Sequence, residues 1–146
     1  MSRSICKSSI CWNDATIQVS QLSMEQQHRL SIARALVSNP KILLLDDPFA
    51  LLPEKPRAAL QTLVAAVQQR FELTTLMVTN NLDEALILND RAVLMTSSQE
   101  AAIGSIVRID LPRPRMYSDL LELPTYHHVR RQIAAFLDEE SRKVAA

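Results

Sequence analysis

An α/β fold built on a parallel sheet is what this 146-residue sequence predicts, and three observations predict it. Lys41-Ile42-Leu43-Leu44-Leu45-Asp46-Asp47-Pro48 runs four apolar residues into two adjacent carboxylates and a proline. That is the pattern of a strand buried on both faces, as parallel strands are. Thr74-Thr75-Leu76-Met77-Val78-Thr79 is a second apolar, β-branched run. Around these two runs lie stretches with the apolar period of a helix, and strands alternating with helices argue for parallel βαβ units.

Residues 1 to 20 show no clear period and read as a loosely held lead-in. Ser23 with Gln26 three residues on is a capping-box start. Leu30, Ala33 and Val37, with Ile32 and Leu36 four apart, predict the helix that follows, and Asn39-Pro40 stops it. After the acidic strand, Phe49 to Pro56 holds Pro53 and Pro56 and reads as a loop. Arg57 to Phe71 is an amphipathic helix, with Leu60, Leu63, Val64, Val67 and Phe71 on one face. Asn80-Asn81 ends the second strand. Leu82 to Leu88 is a short helix with Asp83 and Glu84 in its first turn, where carboxylates complement the dipole. Ala92–Thr96 and Ala102–Ile109 read as further strands, possible partners in a hairpin across Ser97 to Ala101. Pro112-Arg113-Pro114-Arg115 is a break. Thr125 to Glu139 is a helix with Val129, Ile133, Phe136 and Leu137 on one face.

Composition narrows the function classes. Hydrophobic residues make up 47% and charged residues 22%, a globular balance. Lys+Arg and Asp+Glu are 16 each, so net charge points to neither nucleic acid nor anionic lipid. No apolar run approaches the roughly 18 residues that span a bilayer. Met1 to Asp14 lacks the apolar core of a signal peptide, and a cytosolic setting is the default expectation. Cys6 and Cys11 form a single C-x4-C, a weak metal signal and better read as free thiols. His127-His128 point about 100° apart on a helix and lack companions at ligand spacing, so a surface helix start fits them. Arg113, Arg115, Arg130 and Arg131 are offset by Asp119, Glu122, Asp138, Glu139 and Glu140, which reads as a solvated face. No nucleophile-elbow motif supports Ser/His/Asp catalysis.

Asp46 and Asp47 stand where ligands sit in open α/β sheets, at the carboxyl end of a strand. Taken alone, the residues leave a solvated acidic turn as an equal alternative.

Three segments in this order, LSMEQQHRLSIARAL, KILLLDDPF and VTNNLDEAL, resemble the signature helix, the Walker B strand and the switch-histidine segment of ATP-binding-cassette transporter ATPases. IGSIVRIDLPRPR is most similar to the nitrate/sulfonate/bicarbonate importer branch. The likeness covers roughly residues 18 to 140 and corresponds to the C-terminal half of a nucleotide-binding domain. It implies a partial P-loop NTPase fold, α/β with a parallel sheet flanked by helices, lacking the Walker A strand-loop-helix. In that fold residues 21–111 would carry the ATPase half and 112–146 a helical extension.

The resemblance also implies ATP and Mg²⁺ as cofactors. Asp46 would hold the metal, and Asp47 would orient the attacking water from a position the family gives to glutamate. Asn80 stands where the family's histidine contacts the γ-phosphate, and it can hydrogen-bond but not carry charge. Ser23 and Gln26 belong to the signature motif, which contacts nucleotide bound by a partner subunit. The motif's two glycine positions are Met24 and Glu25. Glu25 favours the helix by about 0.3–1 kcal/mol, yet it places a carboxylate near where a phosphate would sit. Pro53 replaces the aspartate of the loop after Walker B. No G-x-x-x-x-G-K-[ST] occurs, and Gly104 is the single glycine.

The expectation is therefore an ABC transporter ATP-binding subunit of nitrate/sulfonate/bicarbonate import type, truncated and unable to hydrolyse ATP alone. Its implied partners are a complete ATPase subunit and transmembrane permease subunits, in a homo- or hetero-oligomer, peripheral on the cytoplasmic face of the membrane. The alternatives are a non-catalytic interaction module, drawing on an exposed sheet edge, or a decayed gene remnant.

Overall fold

The computed structural model describes residues 18–97 and 102–145. Cys6, Cys11, most of the expected lead-in and the middle of the Ser97–Ala101 turn lie outside the described residues. Two compact units divide the chain, Met1–Val78 and Thr79–Ala146.

In the first unit a 3-10 turn over Val19–Gln21 precedes α1, Met24–Val37. The capping box predicted for α1 is present: Ser23 Oγ accepts from Gln26 N at 3.3 Å, and Ser23 N donates to Gln26 Oε1 at 2.8 Å. Two of the helix's otherwise unpartnered N-terminal donors are thereby tied up, which is why the helix begins here. Ile32, Ala33 and Leu36 are buried, while Val37, expected on the same face, is 63% exposed at the end of the helix. Strand β1 runs Ile42–Asp46, helix α2 runs Glu54–Phe71 and strand β2 runs Thr74–Val78. Helix α2 starts three residues earlier than its apolar period indicated and takes Pro56 into its first turn. Proline is tolerated there because the first-turn amides have no intrahelical acceptor. Leu60, Val64 and Val67 form its buried stripe, and α1 packs against α2.

β1 and β2 pair in parallel, from Ile42 opposite Thr74 to Asp46 opposite Val78. The expectation of a strand buried on both faces is corrected here. Leu43 is buried, but Ile42 and Leu44 are 60% and 69% exposed, with Leu76 and Val78 beside them at 59% and 62%. Side chains alternate across a strand, and only one face of this two-stranded sheet is covered among the described residues.

Among the described residues, four with side chains adopt left-handed backbone: Asn39 (φ 52°), Asp47 (φ 42°), Leu51 (φ 63°) and Glu72 (φ 49°). Asn39 and Glu72 follow α1 and α2, and Leu51 lies in the loop between β1 and α2.

The second unit opens with helix α3, Leu82–Leu88, followed by strands β3, Arg91–Met95, and β4, Ile103–Arg108. β3 and β4 pair antiparallel, as the hairpin reading expected, with a register shift at Leu94/Met95 that leaves Gly104 as the extra residue. This glycine has a steric reason. A Cβ placed on it would stand 2.9 Å from Thr96 Cγ2 and closer still to the Phe136 ring. A short helix, α4, Tyr117–Leu120, was not foreseen, because four residues are too few to display a period. Helix α5 spans Pro124–Ala145 and packs on α3 and β3. Its buried stripe is Tyr126, Val129, Ile133 and Glu140, with Phe136 half-buried; Leu137, expected on that face, is 42% exposed.

Expectation and structure also differ at the basic segment. Arg115 is not on a solvated face: its side chain is 3% exposed. The guanidinium donates to the carbonyl oxygens of Asn89 at 2.6 Å, Leu86 at 3.0 Å, and Ile109 and Leu111 at 3.1 Å. Arg113 donates to Leu88 O at 3.2 Å and Asp90 Oδ1 at 2.9 Å. The carbonyls at the end of α3 lack intrahelical donors, and these arginines supply them. Burial draws the Arg115 pKa below its ordinary value, and the hydrogen bond from Arg113 does the same for Asp90.

Candidate functional site

Asp46 closes β1 and Asp47 follows it at the carboxyl end of the parallel pair. The ladder extends one step past the strand, with Asp47 N donating to Val78 O at 2.8 Å. That bond and the left-handed φ together fix the backbone from which the Asp47 carboxylate springs. Aspartate is among the few residues other than glycine that accept this conformation readily. Asp46 is exposed and Asp47 partly so, and neither carboxylate has a hydrogen bond or ion pair among the described residues. The chain then turns inward, with Phe49 1% and Leu52 3% exposed, which anchors the loop below the acidic pair.

Ser23 and Gln26 lie at the N-terminus of α1, in the same unit. Because Ser23 Oγ only accepts in the capping box, its hydroxyl proton remains available to an outside acceptor. Glu25, expected to repel an anion there, is paired: Arg29 Nη2 stands 2.7 Å from Glu25 Oε1. This pair is part-exposed and of modest energy, about 0.3–0.5 kcal/mol for such i,i+4 pairs, but it offsets the carboxylate's charge.

Asn80 falls in the second unit. It is exposed, and its side-chain amide makes no hydrogen bond among the described residues. The residues after it are heavily tied. Asn81 caps α3, its Oδ1 accepting from Asp83 N at 3.0 Å and Glu84 N at 3.3 Å. Thr79 Oγ1 donates to the buried Glu84 carboxylate at 2.9 Å and accepts from Asn81 N at 3.0 Å. Asp83 Oδ1 accepts from Tyr126 Oη at 2.8 Å and from Arg130 Nε at 2.9 Å. Burial, followed by the neighbouring Asp83, pushes the Tyr126 hydroxyl above its ordinary range, and Asp83 raises Arg130 as well.

Sequence reasoning did not single out Tyr126, and it read Arg115 and Arg130 only as part of a solvated face. Nothing local marks a partner some 43 or 47 residues away. The cap at Asn81, by contrast, carried a readable signal, an asparagine just before an apolar helix with acids in its first turn. Among the described residues no cluster of three or more metal-ligating side chains occurs, and no helix is long and apolar enough to cross a membrane.

Comparison with known proteins supplies the context. Residues 8–50 match the family described as ABC transporter. Over 125 residues the chain is 43% identical to the nitrate transport protein NasD of Klebsiella oxytoca, covering 86% of this chain and 48% of that protein. It is 39% identical over 122 residues to the bicarbonate transport ATP-binding protein CmpC of Synechocystis sp., covering 84% of this chain and 18% of that one. It is 40% identical over 117 residues to CmpD of the same organism, covering 80% and 42%. The chain thus spans about half the length of the nitrate relative and less of the others. Over most of its described length the chain is therefore similar to ATP-binding proteins of the ABC transporter family, among them proteins named for nitrate and bicarbonate transport.

Proposed function

We propose that the chain contributes to the nucleotide-dependent engine of an importer for a small anion of the nitrate or bicarbonate kind. It would work together with a P-loop-bearing ATPase subunit and with permease subunits in the membrane. The observation that carries this reading is the 43% identity to a nitrate transport protein across 125 residues.

The geometry of the first unit supports it. Asp46 offers a carboxylate without a competing partner among the described residues, and this suits Mg²⁺, which takes one or two protein carboxylates alongside water and phosphate oxygens. When bound, Mg²⁺ neutralises charge on the phosphates. Asp47 would orient water from a rigid backbone, and its side chain reaches one methylene less far than glutamate. Ser23 would donate its hydroxyl proton to a phosphate oxygen held by the partner subunit, with the α1 amides and dipole behind it. In the second unit, Asn80 would donate a hydrogen bond to a nucleotide phosphate without adding charge.

Titration calorimetry tests the reading. The 146-residue chain with Mg-ATP should give no binding heat alone, and saturable heat once a subunit carrying G-x-x-x-x-G-K-[ST] is added. ATP hydrolysis by the isolated chain would overturn the proposed division of labour. A second reading, a non-catalytic interaction module, is favoured by the exposed Ile42, Leu44, Leu76 and Val78 face. Sedimentation separates the two, since a monomer that persists at high concentration counts against an association module.

A further inference from the structure

We propose that helix α5 sets the position of the Asn80 segment through Asp83, making Tyr126 and Arg130 positioning residues for the nucleotide-contacting loop. This deepens, and rests on, the reading of Asn80 given above.

The argument begins with the size of α3. A helix of seven residues, Leu82–Leu88, does not hold itself together, since nucleating a helix is costly and so short a one gains little by propagation. Its placement must come from outside, and the hydrogen bonds show from where. At its carboxyl end the carbonyls of Leu86, Leu88 and Asn89 are held by Arg113 and Arg115. At its amino end a single oxygen, Asp83 Oδ1, receives both the Tyr126 hydroxyl and the Arg130 guanidinium. Both donors sit on α5, four residues apart and so one above the other on the same side. Tyr126 is 1% exposed and cannot swing away without opening the interface. Hydrogen bonds to an ionised carboxylate are the stronger kind, so two on one oxygen make a firm tether.

Asn80 is three residues from that tether. The intervening links are short and stiff: Asn81 Oδ1 holds the amides of Asp83 and Glu84, and Thr79 bonds both Asn81 N and Glu84. Displacement of Asp83 therefore carries Asn81 and Thr79 with it, and Asn80 lies between those two. Asn80 itself has no side-chain hydrogen bond among the described residues, so the position of its amide is inherited from its neighbours. The C-terminal helix, remote in sequence, thereby gains a handle on the loop that would meet nucleotide.

The test uses the full 146-residue chain and two variants. Tyr126→Phe removes only the hydroxyl. Arg130→Met removes the charge and keeps the length of the stem. Amide exchange at Ala85 to Leu88 should quicken about tenfold in each, the factor by which loss of one ordinary hydrogen bond shifts a local opening. The side-chain amide resonance of Asn80 should shift, while exchange in α1 and β1 stays unchanged. Asp83→Asn, which keeps an acceptor oxygen for Tyr126, should give an intermediate shift. Unchanged α3 exchange, an unmoved Asn80 resonance, or acceleration spread evenly over the chain would overturn the proposal. Adding Mg-ATP and a P-loop-bearing subunit examines the other reading separately. If nucleotide never perturbs Asn80 in any protein, the nucleotide assignment fails while the tether stands. If nucleotide perturbs Asn80 with the same midpoint in parent and variants, the tether does not position the loop and this proposal fails.

Discussion

Replacing Arg115 by methionine should be among the most damaging single changes in the second unit. Methionine fills much of the same volume, so the loss is of donors rather than of packing. Four backbone carbonyls, those of Leu86, Asn89, Ile109 and Leu111, lose their guanidinium partner, and Asp90 loses a weaker one at 3.4 Å. The side chain is 3% exposed, so water does not simply take its place. If the two bonds at the end of α3, at 2.6 and 3.0 Å, carry most of the energy, charge-assisted bonds of about 1.5–3 kcal/mol each give a loss of roughly 3–6 kcal/mol. Arg113 already donates to Leu88 O and Asp90 Oδ1, so it has little to offer the vacated carbonyls. Because the chain has two units, urea unfolding is best followed at amides of α3 and β3 rather than by a global signal. Arg115→Lys is the control: it keeps the charge but lacks the planar fork, and it should recover less than half of the loss. A destabilisation under about 1 kcal/mol for Arg115→Met would refute the idea that this arginine holds the unit together.

Three further outcomes follow from particular contacts. Gly104→Ala should lower the stability of the hairpin and α5 by about 1–3 kcal/mol, read by thermal unfolding, because the new methyl group meets the Phe136 ring and Thr96. Ser23→Ala removes the α1 cap and should cost about 0.5–2 kcal/mol in urea unfolding, while Ser23→Asn should cost far less. Asp90 is held below its ordinary carboxylate value of 3.8 by its hydrogen bond with Arg113. A carboxyl whose folded pKa is depressed stabilises the fold fully above its unfolded value and loses that contribution as pH falls through the folded one. Acid unfolding of Asp90→Asn should therefore show a shallower limb below about pH 4, starting from a slightly lower plateau of stability at neutral pH.

Much of the first unit was legible in the sequence because its signals are local. A capping box needs residues three apart, a helix stripe needs i, i+3 and i+4, and a buried strand needs a short apolar run. Ser23, Gln26 and the Ile42–Asp46 strand appear as the residues themselves indicate. The burial of that strand did not follow from its own residues, because how many faces are covered depends on what lies against it. In the second unit the controlling contacts are long-range. Arg115 carried the same local signature as its solvated neighbours, and only the fold shows it turned inward onto four carbonyls. Asp83, read as a dipole-compensating acid, turns out also to be the acceptor that joins α3 to α5.

A chain with one glycine must still turn left-handed corners, and Asn39, Asp47, Leu51 and Glu72 are what it uses. Asparagine and aspartate tolerate this; leucine and glutamate do so at a cost of about 1–2 kcal/mol each. Glu72 sits at the cap of α2, the position where glycine is the common choice, and Leu51 is 84% exposed and packs against little. The molecule therefore holds unclaimed thermostability at two surface corners, neither of which is itself a residue assigned to nucleotide. Protein engineers could draw on it with Glu72→Gly and Leu51→Gly, leaving every residue assigned to nucleotide untouched.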